Sequence, residues 1–170
     1  MSAPGLGPRV TNVVLAGLGG QGVIKASDIL ADAALRAGLD VKKAEVHGMS
    51  QRGGSVTSDV RFGHKVLSPM VPRGEADYLI VLAPSEVEVT RPLLRPGGVL
   101  LAPDLVPEDR LPNKRSLNVA LLGALSRYLD LPEEAMLDAV RAALPERLHH
   151  VNEQAFALGR QLVAERPAFG

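Results

Sequence analysis

Short apolar runs alternate along the chain with longer amphipathic segments. Residues 12–17 (NVVLAG) are rich in β-branched side chains and predict a first strand. The segment that follows, up to about Ala37, predicts a helix whose polar stripe is spaced 3, 4 and 4 residues apart, at Lys25, Asp28, Asp32 and Arg36. Gly38 is placed to end this helix, and residues 40–46 predict a second strand. We therefore expect a β–α–β unit with two parallel, neighbouring strands.

The next stretch indicates antiparallel pairing. Residues 55–62 alternate β-branched and polar side chains, Gly63-His64 follows, and residues 65–68 resume an extended pattern. Two strands separated by a two-residue turn with glycine first predict a type II′ hairpin, so the sheet should be mixed. Residues 77–82 and 98–102 are continuous apolar runs, typical of central strands covered on both faces. A short helix over residues 85–94 should join them.

The rest of the chain is mainly helical. Residues 103–115 are polar, contain three prolines and predict a loop. Helices should follow over residues 118–129, apolar nearly all round, over 132–144, beginning at Pro132, and over 150–164. These elements predict an α/β protein, a three-layer Rossmann-like α/β/α fold with a mixed central sheet. We expect one domain over residues 12–170, after a disordered Gly- and Pro-rich leader over residues 1–11.

Composition narrows the possible functions. The chain has 170 residues and no cysteine, which excludes a disulfide framework, a thiolate-held metal cluster and a thiol nucleophile. Its 19 basic and 19 acidic residues balance, and it has only two tyrosines, three phenylalanines and no tryptophan. Nucleic-acid and membrane partners are therefore not expected. The sequence shows no signal or membrane segment, so we expect a cytoplasmic protein.

The first candidate site is the motif GLGGQG at residues 17–22, between the first strand and the first helix. It matches the G-x-G-x-x-G pattern, in which bare backbone lets an anion approach the helix N-terminus. The predicted ligand-binding positions are Gly17, Gly19, Gly20, Gln21 and Gly22. With Glu45 ending the second strand, one interpretation is a dinucleotide site. The other is a tight turn that permits close helix–strand packing.

The second candidate site is the polar loop HGMSQRGG at residues 47–54. If the first two strands are parallel, this loop and the glycine motif share the sheet edge where α/β proteins bind ligands. Arg52 could pair with a carboxylate or phosphate, and His47 could transfer a proton. Ser50, Gln51 and Gly53 complete the predicted binding set. A polar turn that docks a partner protein explains the loop as well, and His47, without a visible acid or nucleophile beside it, favours that interpretation.

Several segments together resemble a known family. They are GLGGQGVIKASDILADAALRAG, EVHGMSQRGGSVTSDVRFG, SPMVPRGEADYLIVL, RPGGVLL, NVALLGAL and NEQAFALGR, and they span about residues 12–161. They resemble the γ-type domain of the 2-oxoacid:ferredoxin oxidoreductases, with the nearest similarity to the β subunits of the indolepyruvate enzymes. One departure is the short segment at residues 103–115, where family members carry a further strand and helix, so the last strand of the sheet is in question.

The resemblance implies a subunit of an enzyme that oxidatively decarboxylates a 2-oxoacid, transfers the acyl group to coenzyme A and passes electrons to ferredoxin. It places thiamine diphosphate, Mg and [4Fe–4S] clusters in a large partner subunit, and this chain alone should hold no cofactor. The γ-type domain is associated with the active-site entrance and the coenzyme A side. The isolated chain should be inactive and could self-associate.

Two alternatives remain. One is an NAD-dependent oxidoreductase, which needs catalytic residues beyond the glycine motif. The other is a purely structural subunit, in which both loops serve packing and docking.

Overall fold

The computed structural model describes residues 9–47 and 54–166. In chain order its elements are β1 (Thr11–Leu18), α1 (Val23–Arg36), β2 (Asp40–His47), β3 (Ser55–Gly63), β4 (Ala76–Val81), α2 (Val87–Thr90), β5 (Leu94–Leu101), α3 (Leu117–Ser126), α4 (Glu133–Ala143) and α5 (His149–Ala164). Short 3-10 turns flank α2, and three more lie between β5 and α3. Residues 1–8 of the predicted leader lie outside the described residues.

The described strands form a five-stranded sheet in the order β2-β3-β1-β4-β5. β1 is parallel to β4, and β4 to β5, whereas β3 is antiparallel to both β1 and β2. The predicted mixed sheet is confirmed. The prediction that the first two strands are neighbours is wrong, because β2 pairs with β3, and β3 pairs with β1 along its whole length. β1 and β2 nevertheless run in the same direction, so their carboxyl ends reach the same edge.

The predicted type II′ hairpin after β3 is also wrong. Residues 65–68 are irregular, and β3 forms its hairpin with β2 instead. A side chain takes the place of a strand partner here, because the backbone N–H of Val66 donates to Asp40 Oδ2 at 2.8 Å. The predicted helix over residues 85–94 is interrupted as well. α2 is a single turn, since Pro92 has no N–H to donate back into a continuing helix.

The helices divide unequally between the two faces of the sheet. A large core joins one face to α1, α3, α4 and α5, and it includes Val13 and Leu15. A small cluster on the other face contains Val14 and Leu79 and is covered by α2 and neighbouring loop residues. The alternation of Val13, Val14 and Leu15 between the two clusters is the period-two pattern of a strand buried on both sides. The predicted three-layer fold is confirmed, with one layer much thinner than the other.

The three C-terminal helices follow the predicted order, with small differences at their starts. Pro132 precedes α4 as its N-cap, and Asn118, the predicted first residue of its helix, is the second residue of α3. None of the helices in the described part of the chain has the length and apolar character needed to cross a membrane.

Candidate functional site

The glycine motif forms a tight turn between β1 and α1. Gly20 and Gly22 adopt φ angles of 86° and 84°, in the left-handed region that glycine enters without steric cost. At Gly17 a Cβ atom would lie 2.8 Å from Gln21 Oε1 and 2.9 Å from Val23 Cγ2. Two of these glycines are thus required by backbone conformation and one by close packing, which matches the tight-turn interpretation of the motif.

The Gln21 side chain stabilises the glycine turn through two hydrogen bonds to the backbone. Its Oε1 accepts a hydrogen bond from Leu18 N at 2.7 Å, and its Nε2 donates to Leu82 O at 3.4 Å. The side chain therefore ties the end of β1 to the residue after β4. Its place in the binding set stays a prediction, and both of these hydrogen bonds serve the protein itself.

The second predicted loop begins beside the first. His47 is the exposed last residue of β2, and Gly19 N donates to Gly54 O at 3.2 Å. A cleft of about 320 Å³ lies between them and is also lined by Gly20 and Lys25. The predicted site residues Ser50, Gln51, Arg52 and Gly53 lie outside the described residues. The expected meeting of the two loops at one sheet edge thus holds for the residues where they begin and end.

A larger cleft, of about 460 Å³, opens on the other side of the glycine turn. It is lined by Gly20, Gln21, Gly22, Lys25, Leu82, Lys114, Arg115, Leu117 and Asn118. We call it the basic cleft. It lies at the carboxyl ends of β1 and β4, whose following helices α1 and α2 cover opposite faces of the sheet. This is a topological switch point, the position where open α/β sheets bind ligands.

The electrostatics of the basic cleft favour an anion. Among the described residues no side chain caps α1 and no acidic residue stands in its first turn, so its N-terminal N–H groups have no side-chain acceptor there. Lys25, Lys114 and Arg115 line the basic cleft, and no carboxylate of the described residues is among its lining residues. Lys25 Nζ donates to Ala143 O, at the end of α4, at 3.3 Å. Lys114 alone is paired with an acid there, Glu108, at 3.0 Å.

Asn118 joins the two walls of the basic cleft. It is buried, its Nδ2 donates to Gly22 O at 3.3 Å, and its Oδ1 accepts from Val119 N at 2.9 Å. A Cβ atom on Gly22 would lie 2.6 Å from Asn118 Nδ2, so a side chain there would displace this contact. Asn118 therefore fixes the glycine turn against the segment that carries Lys114 and Arg115.

Comparison with known proteins identifies the family. The sequence profile of the pyruvate ferredoxin/flavodoxin oxidoreductase family matches residues 12–112. The indolepyruvate oxidoreductase subunit IorB of Thermococcus kodakarensis is 34% identical, over 91% of this chain and 96% of its own length. The chain belongs to this family. It is a γ-type subunit, also 30% identical over 82% of its length to the common subunit gamma of the pyruvate/ketoisovalerate oxidoreductases of the same organism.

Solved structures agree with the family in their fold. A 2-oxoglutarate:ferredoxin oxidoreductase from Magnetococcus marinus, solved with 2-oxoglutarate, coenzyme A and succinyl-CoA bound, matches 94% of this chain with a TM-score of 0.80 and 22% identity, over 32% of its own chain. The gamma subunit of a keto/oxoacid ferredoxin oxidoreductase from Geobacter sulfurreducens matches 92% of this chain and 99% of its own, with a TM-score of 0.72 and 23% identity. The γ-type fold therefore occurs both as a separate subunit and as part of a longer chain.

Sequence reasoning missed most of the basic cleft of this γ-type subunit. Lys25 was assigned to the polar stripe of α1, and Lys114 and Arg115 to a loop. A cation in the first turn of a helix opposes the helix dipole, but the structure gives Lys25 another partner, because its Nζ donates to Ala143 O at the end of α4. Lys114 and Arg115 carried no signal in the sequence, since only the fold brings them beside a turn that lies more than 90 residues earlier in the chain.

The acid expected of a dinucleotide site is placed elsewhere. β3 separates Glu45 from β1, and Glu45 accepts a hydrogen bond from Lys43 Nζ at 3.0 Å. Burial tends to lower the pKa of Lys43, but the carboxylates of Asp28 and Glu45 outweigh it and raise that pKa. Glu45 is thus engaged in an ion pair against α1 and does not reach the glycine turn as a ribose-binding acid would.

The described residues do not group into a metal site. In residues 9–47 and 54–166 no three His, Asp or Glu side chains are grouped as metal ligands, and the whole sequence has no cysteine. Iron–sulfur clusters need thiolate ligands, so the residues present do not fit such a group.

Proposed function

We propose that this γ-type subunit belongs to an oxidoreductase for indolepyruvate or a related 2-oxoacid, and that its basic cleft receives the phosphate groups of coenzyme A. The observation that carries this proposal is a cleft beside an uncapped helix N-terminus that is lined by Lys25, Lys114 and Arg115. Three cations and a helix dipole favour a polyanion over a monocarboxylate. Of the substrates in such a reaction, coenzyme A is the polyanion.

The chain's part in the reaction is binding and orientation. Thiamine diphosphate, which we place in the partner subunit with Mg and the [4Fe–4S] clusters, supplies the carbon–carbon bond chemistry. Lys25, Arg115 and the backbone of Gly20–Gly22 hold the phosphates, and Asn118 holds the turn that presents this backbone. Fixing the distal end of coenzyme A raises the effective concentration of its thiol at the reacting centre. The clusters that we place in the partner subunit would supply the route for electrons to ferredoxin, and no residue of this chain takes part in that transfer.

The alternatives have less support. A dinucleotide oxidoreductase would need an acid beside the glycine turn, and Glu45 is two strands away. A purely structural subunit explains the glycines but not a cleft lined by three cations, of which only Lys114 pairs with an acid among the described residues.

Steady-state kinetics of the complete enzyme, with each substrate varied in turn, tests the proposal. We expect Lys25→Ala and Arg115→Ala each to raise the KM for coenzyme A about tenfold to a hundredfold, because a charge-assisted hydrogen bond contributes about 1.5–3 kcal/mol. The KM for the 2-oxoacid should stay within about twofold. Arg36→Ala removes a cation at the far end of the same helix, where Arg36 pairs with Asp32 at 3.1 Å, and is the matched control.

The predicted second loop is tested in the same assay. Arg52→Ala should assemble normally and raise the KM for coenzyme A or the 2-oxoacid about tenfold to a hundredfold. Gly19→Val should have a larger effect, because a Cβ at Gly19 has no described atom within 4 Å and a branched side chain would occupy the open cleft. Unchanged KM values in all four variants would favour the purely structural subunit.

A further inference from the structure

The segment between β3 and β4 lies across the thinly covered face of the sheet. We call residues 64–73 the strap. Its backbone is secured by side chains beneath it. Val66 N donates to Asp40 Oδ2 at 2.8 Å, Val71 N donates to Asp59 Oδ2 at 2.8 Å, and Ser68 O accepts from Arg61 Nη1 at 2.8 Å. The strap therefore has no regular secondary structure but is fixed at three points.

The strap presents two apolar side chains to solvent. Val66 is buried and Val71 packs against the small core cluster, whereas Leu67 is 83% exposed and Met70 51% exposed. Val89 of α2, which covers the same face, is 66% exposed. Large exposed apolar side chains grouped on one face mark interaction surfaces. Because the backbone beneath them is already fixed, little conformational entropy remains to be lost when they are covered.

The charges around this surface favour a different protein over a second copy of the chain as its partner. Lys65 and Arg73 flank the two apolar residues, and both are exposed and make no ion pair with any described residue. A symmetric contact between two copies of the chain would place the strap of one copy against the strap of the other. The cations of the two straps would then lie close together and repel each other. A different protein with acidic residues around an apolar depression would neutralise them.

We propose that the strap is a docking site for the other subunit of the oxidoreductase, where Leu67 and Met70 enter an apolar surface rimmed by Asp or Glu. The proposal rests on the proposed function only in its choice of partner, the large subunit. It assigns to this face a role independent of the basic cleft, which lies at the carboxyl edge of the sheet.

Binding of the purified chain to its cognate large subunit, measured by calorimetry at two salt concentrations, tests the proposal. Leu67→Ser combined with Met70→Ser should weaken the dissociation constant at least tenfold. Lys65→Glu combined with Arg73→Glu should also weaken binding, and this second loss should shrink at high salt. Leu35→Ser, on the helical side of the molecule and 58% exposed in the native chain, is the matched control and should bind as the wild type does. Thermal unfolding should be unchanged in every variant, because all these side chains are exposed.

Two results would overturn the strap proposal. One is wild-type affinity in both double variants. The other is a wild-type chain that dimerises alone and becomes monomeric on substitution of Leu67 and Met70, which would make a second copy the occupant. If the wild-type chain binds no large subunit at all, the proposed function fails together with this inference. If the wild type and both double variants bind the large subunit equally well, the proposed function stands and only the strap proposal is rejected.

Discussion

Two serines, Ser27 of α1 and Ser58 of β3, are fully buried but differ in their hydrogen bonding. Ser27 Oγ donates to Ile24 O at 2.8 Å, whereas Ser58 Oγ has no hydrogen-bond partner among the described residues. An unpaired buried hydroxyl costs about 1–3 kcal/mol of desolvation. We expect Ser58→Ala to raise the free energy of unfolding by about 1 kcal/mol. Ser27→Ala should leave it unchanged or lower it, and urea unfolding of both variants measures the difference. A lower midpoint for Ser58→Ala would contradict this.

Asp59 makes the stability of the fold depend on pH in the direction opposite to that usual for an aspartate. Burial raises the pKa of its carboxyl, which the hydrogen bond from Val71 N and the charge of Arg61 only partly oppose. A group whose pKa is higher in the folded protein contributes its stability at low pH and loses it as the pH rises through that pKa. Asn can still accept the Val71 N–H through its amide oxygen but does not titrate.

We therefore expect Asp59→Asn to stabilise the protein most above the raised pKa of Asp59, with a gain that shrinks as the pH falls toward the ordinary value of 3.8. The contribution of Asp40 to stability has the opposite pH dependence, because the hydrogen bond from Val66 N lowers its pKa. Unfolding of the variant and the wild type at a series of pH values gives the difference directly. An Asp59→Asn gain that grows as the pH falls would contradict the assignment.

At the scale of elements, the backbones of α3 and α5 pack directly against each other. A Cβ at Gly159 would lie 1.8 Å from Ala120 O, and a Cβ at Gly123 would lie 2.0 Å from Phe156 O. Both obstacles are backbone atoms, which cannot move aside without separating the helices. We expect Gly159→Ala to lower the free energy of unfolding by about 1–3 kcal/mol or more. Gly19→Ala, with open space around its Cβ in the described chain, should have little effect on thermal unfolding. Equal midpoints for the two variants would show that the helices can separate freely.

The sequence predicts where the strands and helices lie better than it predicts how the strands pair. Apolar periodicity identified the strands and long helices to within a few residues, because burial sets that pattern locally. The order of the strands could not be read in this way, since the hairpin of β2 and β3 depends on which strands pair, not on their own periodicity. Residues 65–68 show the limit most clearly. Their extended pattern predicted a strand, but Asp40 supplies the acceptor that a ladder would have provided.

At the scale of the whole molecule, the basic cleft depends on segments that are distant in sequence. The glycine turn was recognisable because its backbone requires glycine, and that requirement is local. Asn118 and Arg115 become part of the same cleft only when α3 packs against α1 and Asn118 bonds to Gly22 O. A neutral chain with 19 charges of each sign gave no hint of a basic cleft, because the net charge does not show how charges are distributed.

The chain as a whole should be inactive without its partner. It has no cysteine to hold an iron–sulfur cluster, and its described cations are suited to binding a substrate, not to breaking its bonds. We expect the purified chain to be colourless and to release no CO₂ from any 2-oxoacid. Added to a fixed amount of the large subunit, it should raise coenzyme A-dependent reduction of ferredoxin until the two are equimolar and then no further. Visible absorbance from a stoichiometric cluster, or decarboxylation by the chain alone, would show that it carries chemistry of its own. A plateau far from equimolar would instead contradict a fixed place for this subunit in the complex.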